Sequence, residues 1–209
     1  VIAARTVIHS ARLVSGGTST PDAWVAFEHG TVSAIGTGTS WLELSRGPDP
    51  ARVTDAAGRL LVPGFIDLHC HGGGGAAFDE GADAIRTALA VHRRHGTTRS
   101  LLSLVTASLP QLEQRLAVIA DLAEADPLIL GAHLEGPFLA DGFCGAHDPA
   151  LLRIPDPDSV ARLIRAGRGH LRLVTLAPEL PGAAEAIRAF RAAGVTVAIG
   201  HTAADYDTA

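Results

Sequence analysis

The sequence predicts an α/β fold of parallel βαβ units, about five of them, behind a short β-rich segment. Three observations lead there. From Leu61 onward, apolar runs of strand length alternate with stretches of helical spacing. A helix-length connection between successive strands is what parallel pairing requires. The residues with metal-ligand or proton chemistry fall at the C-terminal ends of the strands, the face where (β/α)8 barrels and open α/β sheets place their sites.

Composition narrows the function. The chain has 209 residues, 47% hydrophobic and 19% charged, enough to bury a sizeable core. Its net charge is −5 and its arginines are scattered, so no nucleic-acid footprint is expected. No apolar run approaches the ~18 residues of a membrane span, and the N-terminus lacks the pattern of a signal peptide. Two cysteines, Cys70 and Cys144, argue against a disulfide framework and for a reducing, cytoplasmic setting. All 17 basic residues are Arg, and Met is absent. The missing Met and the stop at Ala209, early in an expected helix, point to a piece of a longer protein.

Residues 1–60 read as a small β module. Val7 and Ile8 sit in an apolar patch. Trp24–Phe27 and Val32–Ile35 flank His29-Gly30, a hairpin signal. Residues 36–55 are rich in Gly, Pro, Ser and Asp and are expected to be loop. His9 and His29 stand alone as ordinary turn or surface residues.

Residues 61–209 carry the alternating pattern. Leu61 opens an apolar, buried-type strand that ends at His71 and breaks at Gly72–Gly75, expected to be a flexible turn. Asp83–His95 has helical spacing at Ile85, Leu89 and His92. Thr98–Thr106 is a strand, Pro110–Glu124 a helix, Leu128–Glu135 a strand. Asp158–Gly167 is a short helix, with Asp158 or Ser159 as its cap. Leu171–Ala177 is a strand, Gly182–Ala193 a helix stopped by Gly194, and Val195–Gly200 a strand. A further helix is expected from Ala203.

Chemistry gathers at the strand ends. Side chains two apart on a strand share a face, so His69 and His71 present two imidazoles side by side, with Cys70 turned away. Two neutral imidazoles on one rigid edge are half of a divalent-ion site. Glu135, ending a later strand in G-A-H-L-E-G-P-F, can ligate one ion or bridge two. His133 shares its face and suits a supporting hydrogen bond better than ligation. His201, in I-G-H-T, adds an imidazole at another strand end. The long loop D-G-F-C-G-A-H-D-P, residues 141–149, is of the kind that carries function. In it, His147 can hydrogen-bond a ligand, and Cys144 is a candidate ligand or lid residue without a general-base partner. Gly72–Gly75 lacks the Lys-Ser/Thr and the spacing of a phosphate loop.

These segments resemble a known family. P-G-F-I-D-L-H-C-H-G is similar to the first-strand signature of the amidohydrolase superfamily. H-L-E-G-P-F, C-G-A-H-D-P, V-T-L-A-P-E and G-H-T, in this order, resemble the N-acetylglucosamine-6-phosphate deacetylase family, and the likeness runs from the β module through His201. The resemblance implies an amidohydrolase-type (β/α)8 barrel, incomplete here, joined to a small β sandwich. It implies hydrolysis of the N-acetyl group of N-acetylglucosamine 6-phosphate to glucosamine 6-phosphate and acetate. It implies one or two divalent ions, zinc first, with Fe, Mn or Co as alternatives. Glu135 and His201 match family metal ligands, and His69 and His71 match the pair in members that bind a second metal. Ala146 and His147 match a substrate-contacting pair. The resemblance also implies a homodimer whose partner subunit helps to hold the phosphate. The catalytic Asp and one more metal-binding His are expected on strands beyond Ala209.

Two other readings stay open. H-x-H fits a dihydroorotase-like enzyme or a deaminase equally well, although H-L-E-G-P and C-G-A-H do not, and no Lys is present to be carbamylated. A truncated chain that binds metal without turnover is the third.

Overall fold

The computed structural model describes residues 5–46 and 50–209. Residues 1–4, and residues 47–49 of the expected loop, lie outside the described residues. The chain divides into two compact units, Val1–Pro63 and Gly64–Ala209.

The first unit is a five-stranded sheet. β1 (Thr6–Ser15), β2 (Thr18–Glu28) and β3 (Thr31–Thr37) form an antiparallel meander, and β4 (Arg52–Asp55) and β5 (Leu60–Leu61) pair in parallel with β1. The β2–β3 hairpin turns at His29 and Gly30, both at positive φ (51° and 78°), as a type I′ turn demands. Val7, Trp24, Ala26 and Ala51 form the core. The expected loop holds more structure than its composition suggests: a 3-10 helix at Ser40–Ser45, then β4. Trp41 of that helix stacks on the His9 ring, with centroids 4.0 Å apart, so His9 serves packing.

The second unit is a parallel sheet in the order β12-β11-β10-β9-β6. The strands are β6 (Phe65–Cys70), β9 (Thr97–Leu104), β10 (Ile129–Glu135), β11 (Leu171–Leu176) and β12 (Thr196–Ile199). The intervening helices are α1 (Ala82–Arg94), α2 (Leu109–Ala125), α3 (Pro157–Ala166) and α4 (Ala183–Ala192). Each helix buries its apolar stripe: Ile85, Ala88 and Leu89 on α1, Leu112, Leu116 and Ile119 on α2. These meet Leu102, Leu104, Leu134, Val174 and Leu176 of the strands in one core. Burial of each such large side chain contributes ~1.5–3 kcal/mol. Because all five strands run the same way, their C-terminal ends share one edge.

Four local expectations need correction. The strand from Leu61 starts only at Phe65, and its apolar residues Phe65, Ile66 and Leu68 are exposed. β6 pairs with β9 alone among the described residues, which leaves its other edge unpaired. The glycine run is an ordered hairpin of β7 (Gly72–Gly73) and β8 (Ala76–Ala77). A Cβ on Gly72 would lie 2.2 Å from the Ala76 carbonyl oxygen, and one on Gly73 2.8 Å from His92 Nε2, so close approach rather than looseness explains the glycines. His92 Nε2 donates to the Gly72 carbonyl at 2.9 Å. The cap of α3 is Asp156: its carboxylate accepts from the Ser159 N–H (3.0 Å) and Ser159 Oγ (2.5 Å), and Pro157 takes the first helical position. No helix follows Ala203; a single turn, Ala209 N–H to Asp205 C=O at 3.1 Å, is too short to offset the cost of helix nucleation.

Candidate metal centre

Three strands deliver the polar cluster. β6 carries His69 as its next-to-last residue and His71 just past its end; β10 ends in Glu135; the turn after β12 carries His201. Glu135 is the hub. Its Oε2 lies 2.8 Å from His71 Nε2 and 3.3 Å from His69 Nε2, and its Oε1 lies 3.0 Å from His201 Nε2. The two oxygens thus face different partners, the pair from β6 on one side and His201 on the other. His69 and His71 also face each other, Nε2 to Nε2, at 3.2 Å.

The sequence fixes the hub locally. β10 is buried at every residue but Leu130, which holds the Glu135 backbone. Gly136 follows at φ 83°, where a Cβ would come within 2.3 Å of Thr106 Oγ1. Only glycine lets the chain turn there while Thr106 Oγ1 donates to the Glu135 carbonyl at 3.2 Å.

Tautomers separate the imidazoles. His201 Nδ1 donates to the Phe143 carbonyl at 2.8 Å, which leaves the Nε2 lone pair facing Glu135. A carbonyl behind the ring is the usual arrangement of a ligating histidine. His147 is the reverse. Its Nδ1 accepts from the Thr106 backbone N–H at 3.2 Å, so Nε2, 3.6 Å from Glu135 Oε2, carries the proton. It is a donor aimed at the cluster, not a free lone pair. The neighbouring Ala146 is exposed. Cys144 is a free thiol outside both donor groups.

His133 sits beneath the cluster, fully buried between Ser103 Oγ (2.9 Å from Nδ1) and Thr175 Oγ1 (2.8 Å from Nε2). Its ring meets His69 edge-on, with centroids 4.7 Å apart. Burial, seconded by the neighbouring His69 ring, pushes its pKa down to about 4, so it stays neutral. Burial also lowers the pKa of His147, against the opposing pull of Glu135. Burial pushes the Glu135 carboxyl up, but the imidazoles around it, His201 first and then His69, His71 and His147, outweigh it, so Glu135 is ionised.

The donor set fits a divalent ion. His69, His71 and Glu135 form one group whose ligand atoms lie within 4.8 Å of one another, and Glu135 and His201 anchor another, which His147 joins by distance but as a protonated nitrogen. Two imidazole nitrogens turned toward each other and toward a carboxylate oxygen are best satisfied by a cation between them. Thr106, Ser103, Thr175 and the Phe143 carbonyl were not singled out by the sequence. For Ser103 and Thr106 a signal was present: two polar residues at the buried end of an apolar strand.

Parallel strands whose shared C-terminal mouth carries histidine and carboxylate donors define the class: an α/β protein built to hold a divalent ion. No family model matches the chain. Curated relatives do. An N-acetylgalactosamine-6-phosphate deacetylase of Escherichia coli is 37% identical over 163 residues, 76% of this chain and 43% of that protein. The N-acetylglucosamine-6-phosphate deacetylase of Bos taurus is 37% identical over 164 residues, 74% of this chain and 40% of its own length. The N-acetyl-D-glucosamine-6-phosphate deacetylase of Mycobacterium smegmatis, a mutant solved in complex with N-acetyl-D-glucosamine-6-phosphate, superposes with a TM-score of 0.86 at 38% identity, over 99% of this chain and 52% of that one. The chain is a homologue of the N-acetylglucosamine-6-phosphate deacetylases and spans about half the length of the relatives it matches.

Proposed function

We propose that this chain forms part of a metal-dependent amide hydrolase that removes the acetyl group of N-acetylglucosamine 6-phosphate, giving glucosamine 6-phosphate and acetate. The observation that carries the reading is the Glu135 carboxylate, with His69 and His71 on one oxygen and His201 on the other. The homology to deacetylases supplies the substrate class.

In this reading His69, His71, Glu135 and His201 hold one or two divalent ions, and zinc suits a nitrogen-rich set best. A bound ion supplies Lewis acidity, which acidifies water and polarises an amide carbonyl. Glu135 contributes the anionic charge and two separately directed oxygens. His147 Nε2–H is a preset donor for the substrate, and Ala146 lines the same stretch of loop. Neutral His133 supports the His69 ring without adding a charge. The catalytic proton carrier is assigned, by resemblance, to an Asp outside this chain.

We further assign residues 61–209 to an amidohydrolase-type (β/α)8 barrel of which five βα units are present. Residues 1–60 are assigned to part of a small β sandwich. The whole protein is proposed to be a cytoplasmic homodimer. Among the described residues no helix is long and apolar enough to cross a membrane.

The test is metal content together with release of acetate from N-acetylglucosamine 6-phosphate and from its galactosamine epimer, measured on this chain and on a longer parent. The expected outcome is metal in both and turnover in the parent. A parent that binds metal but favours the epimer would change the substrate, and a parent free of metal would end the reading.

A further inference from the structure

His201 is held in an unusual backbone conformation. Its φ is 52°, in the left-handed region, where a residue bearing a Cβ is disfavoured by ~1–2 kcal/mol. That conformation sends Nε2 toward Glu135 while Nδ1 reaches the Phe143 carbonyl. Something must hold the turn, and the residues just after it show what does. Glu179, on the loop between β11 and α4, spends both carboxylate oxygens there. Thr202 Oγ1 donates to its Oε2 at 2.5 Å, and the Ala203 N–H donates to its Oε1 at 2.6 Å. Thr202 Oγ1 in turn accepts from the Ala204 N–H at 2.8 Å. On the other side the His201 carbonyl accepts from the Ala140 N–H at 2.9 Å.

We propose that Glu179 is a positioning residue for His201: its carboxylate clamps the left-handed turn from the neighbouring loop and so aims the imidazole at the metal centre. Glu179 touches no reacting group. It joins two segments, V-T-L-A-P-E and G-H-T, that are separate in the chain and adjacent in the fold. Two hydrogen bonds to a charged acceptor are strong enough to offset the backbone cost at His201. The β6 pair has no such dependence, because His69 and His71 are set by strand geometry. The proposal rests on the reading of Glu135 and His201 as metal ligands.

The experiment is titration of the metal-free chain with Co2+, followed by calorimetry and by the visible absorption of the bound ion, in wild type, Glu179→Ala, Glu179→Gln and Thr202→Val. Loss of a support behind a ligand typically weakens metal affinity by about 10–100-fold, and that loss, with an altered Co2+ spectrum, is expected for Glu179→Ala. Glu179→Gln keeps an acceptor for the Ala203 N–H and should stay within about threefold of wild type. If Glu179→Ala melts well below wild type, Thr202→Val carries the test, because it cuts one arm of the clamp and should still weaken Co2+ binding and change the spectrum. Unchanged affinity and spectrum in Glu179→Ala and Thr202→Val would overturn the clamp and leave the metal reading standing. Failure of the wild-type chain to bind Co2+ would overturn both.

Discussion

β6 and β10 end at the same cluster, yet they are opposite kinds of strand. β10 lies in the middle of the sheet, paired on both sides, with Leu134 and His133 at 0% exposure. β6 pairs with β9 alone among the described residues, and Leu68 is 54% exposed. In the sequence both are apolar runs ending in polar donors, and the one that proves exposed, β6, is the one that reads as buried. A strand's pattern records the face it is built to cover; burial depends on neighbours that the local sequence does not name. The consequence for the site is unequal support. Glu135 is fixed by a packed strand and by Thr106, whereas His69 and His71 are fixed mainly by their own backbone and the glycine hairpin behind them.

The largest effect that would break this comparison is in packing. Leu134→Ala should destabilise the chain by ~2–5 kcal/mol, as expected for a fully buried leucine. Leu68→Ala should cost no more than about 0.5 kcal/mol. Urea unfolding of the two variants measures both. Equal losses would mean that β6 is covered in solution and that the two strands are alike.

A smaller effect sharpens the chemical side. His147 belongs to the well-supported β10 side through Thr106, but its tautomer makes it a donor. His147→Ala should therefore leave metal content within about twofold of wild type. In a longer, active parent it should raise KM about tenfold, or ~1.4 kcal/mol of binding. Loss of metal would make His147 a ligand and Glu135 the centre of a larger set.

The smallest effect concerns the link between the two regions. Arg93 of α1, the helix after β6, donates to Asp126, the C-terminal cap of α2 just ahead of β10, at 2.7 Å. Burial raises the Asp126 pKa, but Arg93 and the Leu128 N–H outweigh it, so the carboxyl sits below its usual range. A carboxylate with a lowered folded pKa contributes stability above its unfolded value and loses it as pH falls through the folded one. Arg93→Ala should thus cost about 0.5 kcal/mol near neutrality, the scale of a partly exposed pair. The gap from wild type should close as acid takes the pH below the usual Asp range. A gap that persists there would assign the effect to lost packing of the Arg stem.

Much of this was legible in the sequence, for definable reasons. Period-two and period-3.6 patterns located the five parallel strands and the four α-helices between them, though not the β7–β8 hairpin, and period two placed His69 and His71 on one face. Strand order then brought Glu135 and His201 to the same mouth. What escaped reading was set by distant partners. The exposure of β6 goes with its being paired on one edge alone among the described residues. The φ of His201 depends on Glu179, the ring of His201 on the Phe143 carbonyl and the ring of His147 on Thr106, contacts 23 to 58 residues apart in the chain. The α3 cap was missed because Pro157 moved the helix start back to Asp156. β4 lay inside a Gly- and Pro-rich stretch whose composition masked it.

The central claim is that Glu135 is the shared hub of a metal centre, and metal stoichiometry tests it most directly. Wild type, Glu135→Gln, His69→Ala and His201→Ala are to be loaded with zinc, dialysed and measured by elemental analysis. The expected result is bound metal in wild type, nearly none in Glu135→Gln, and partial retention in each histidine variant, because among the described residues only Glu135 faces both sets of imidazoles. Full occupancy in Glu135→Gln with an empty His69→Ala site would contradict it.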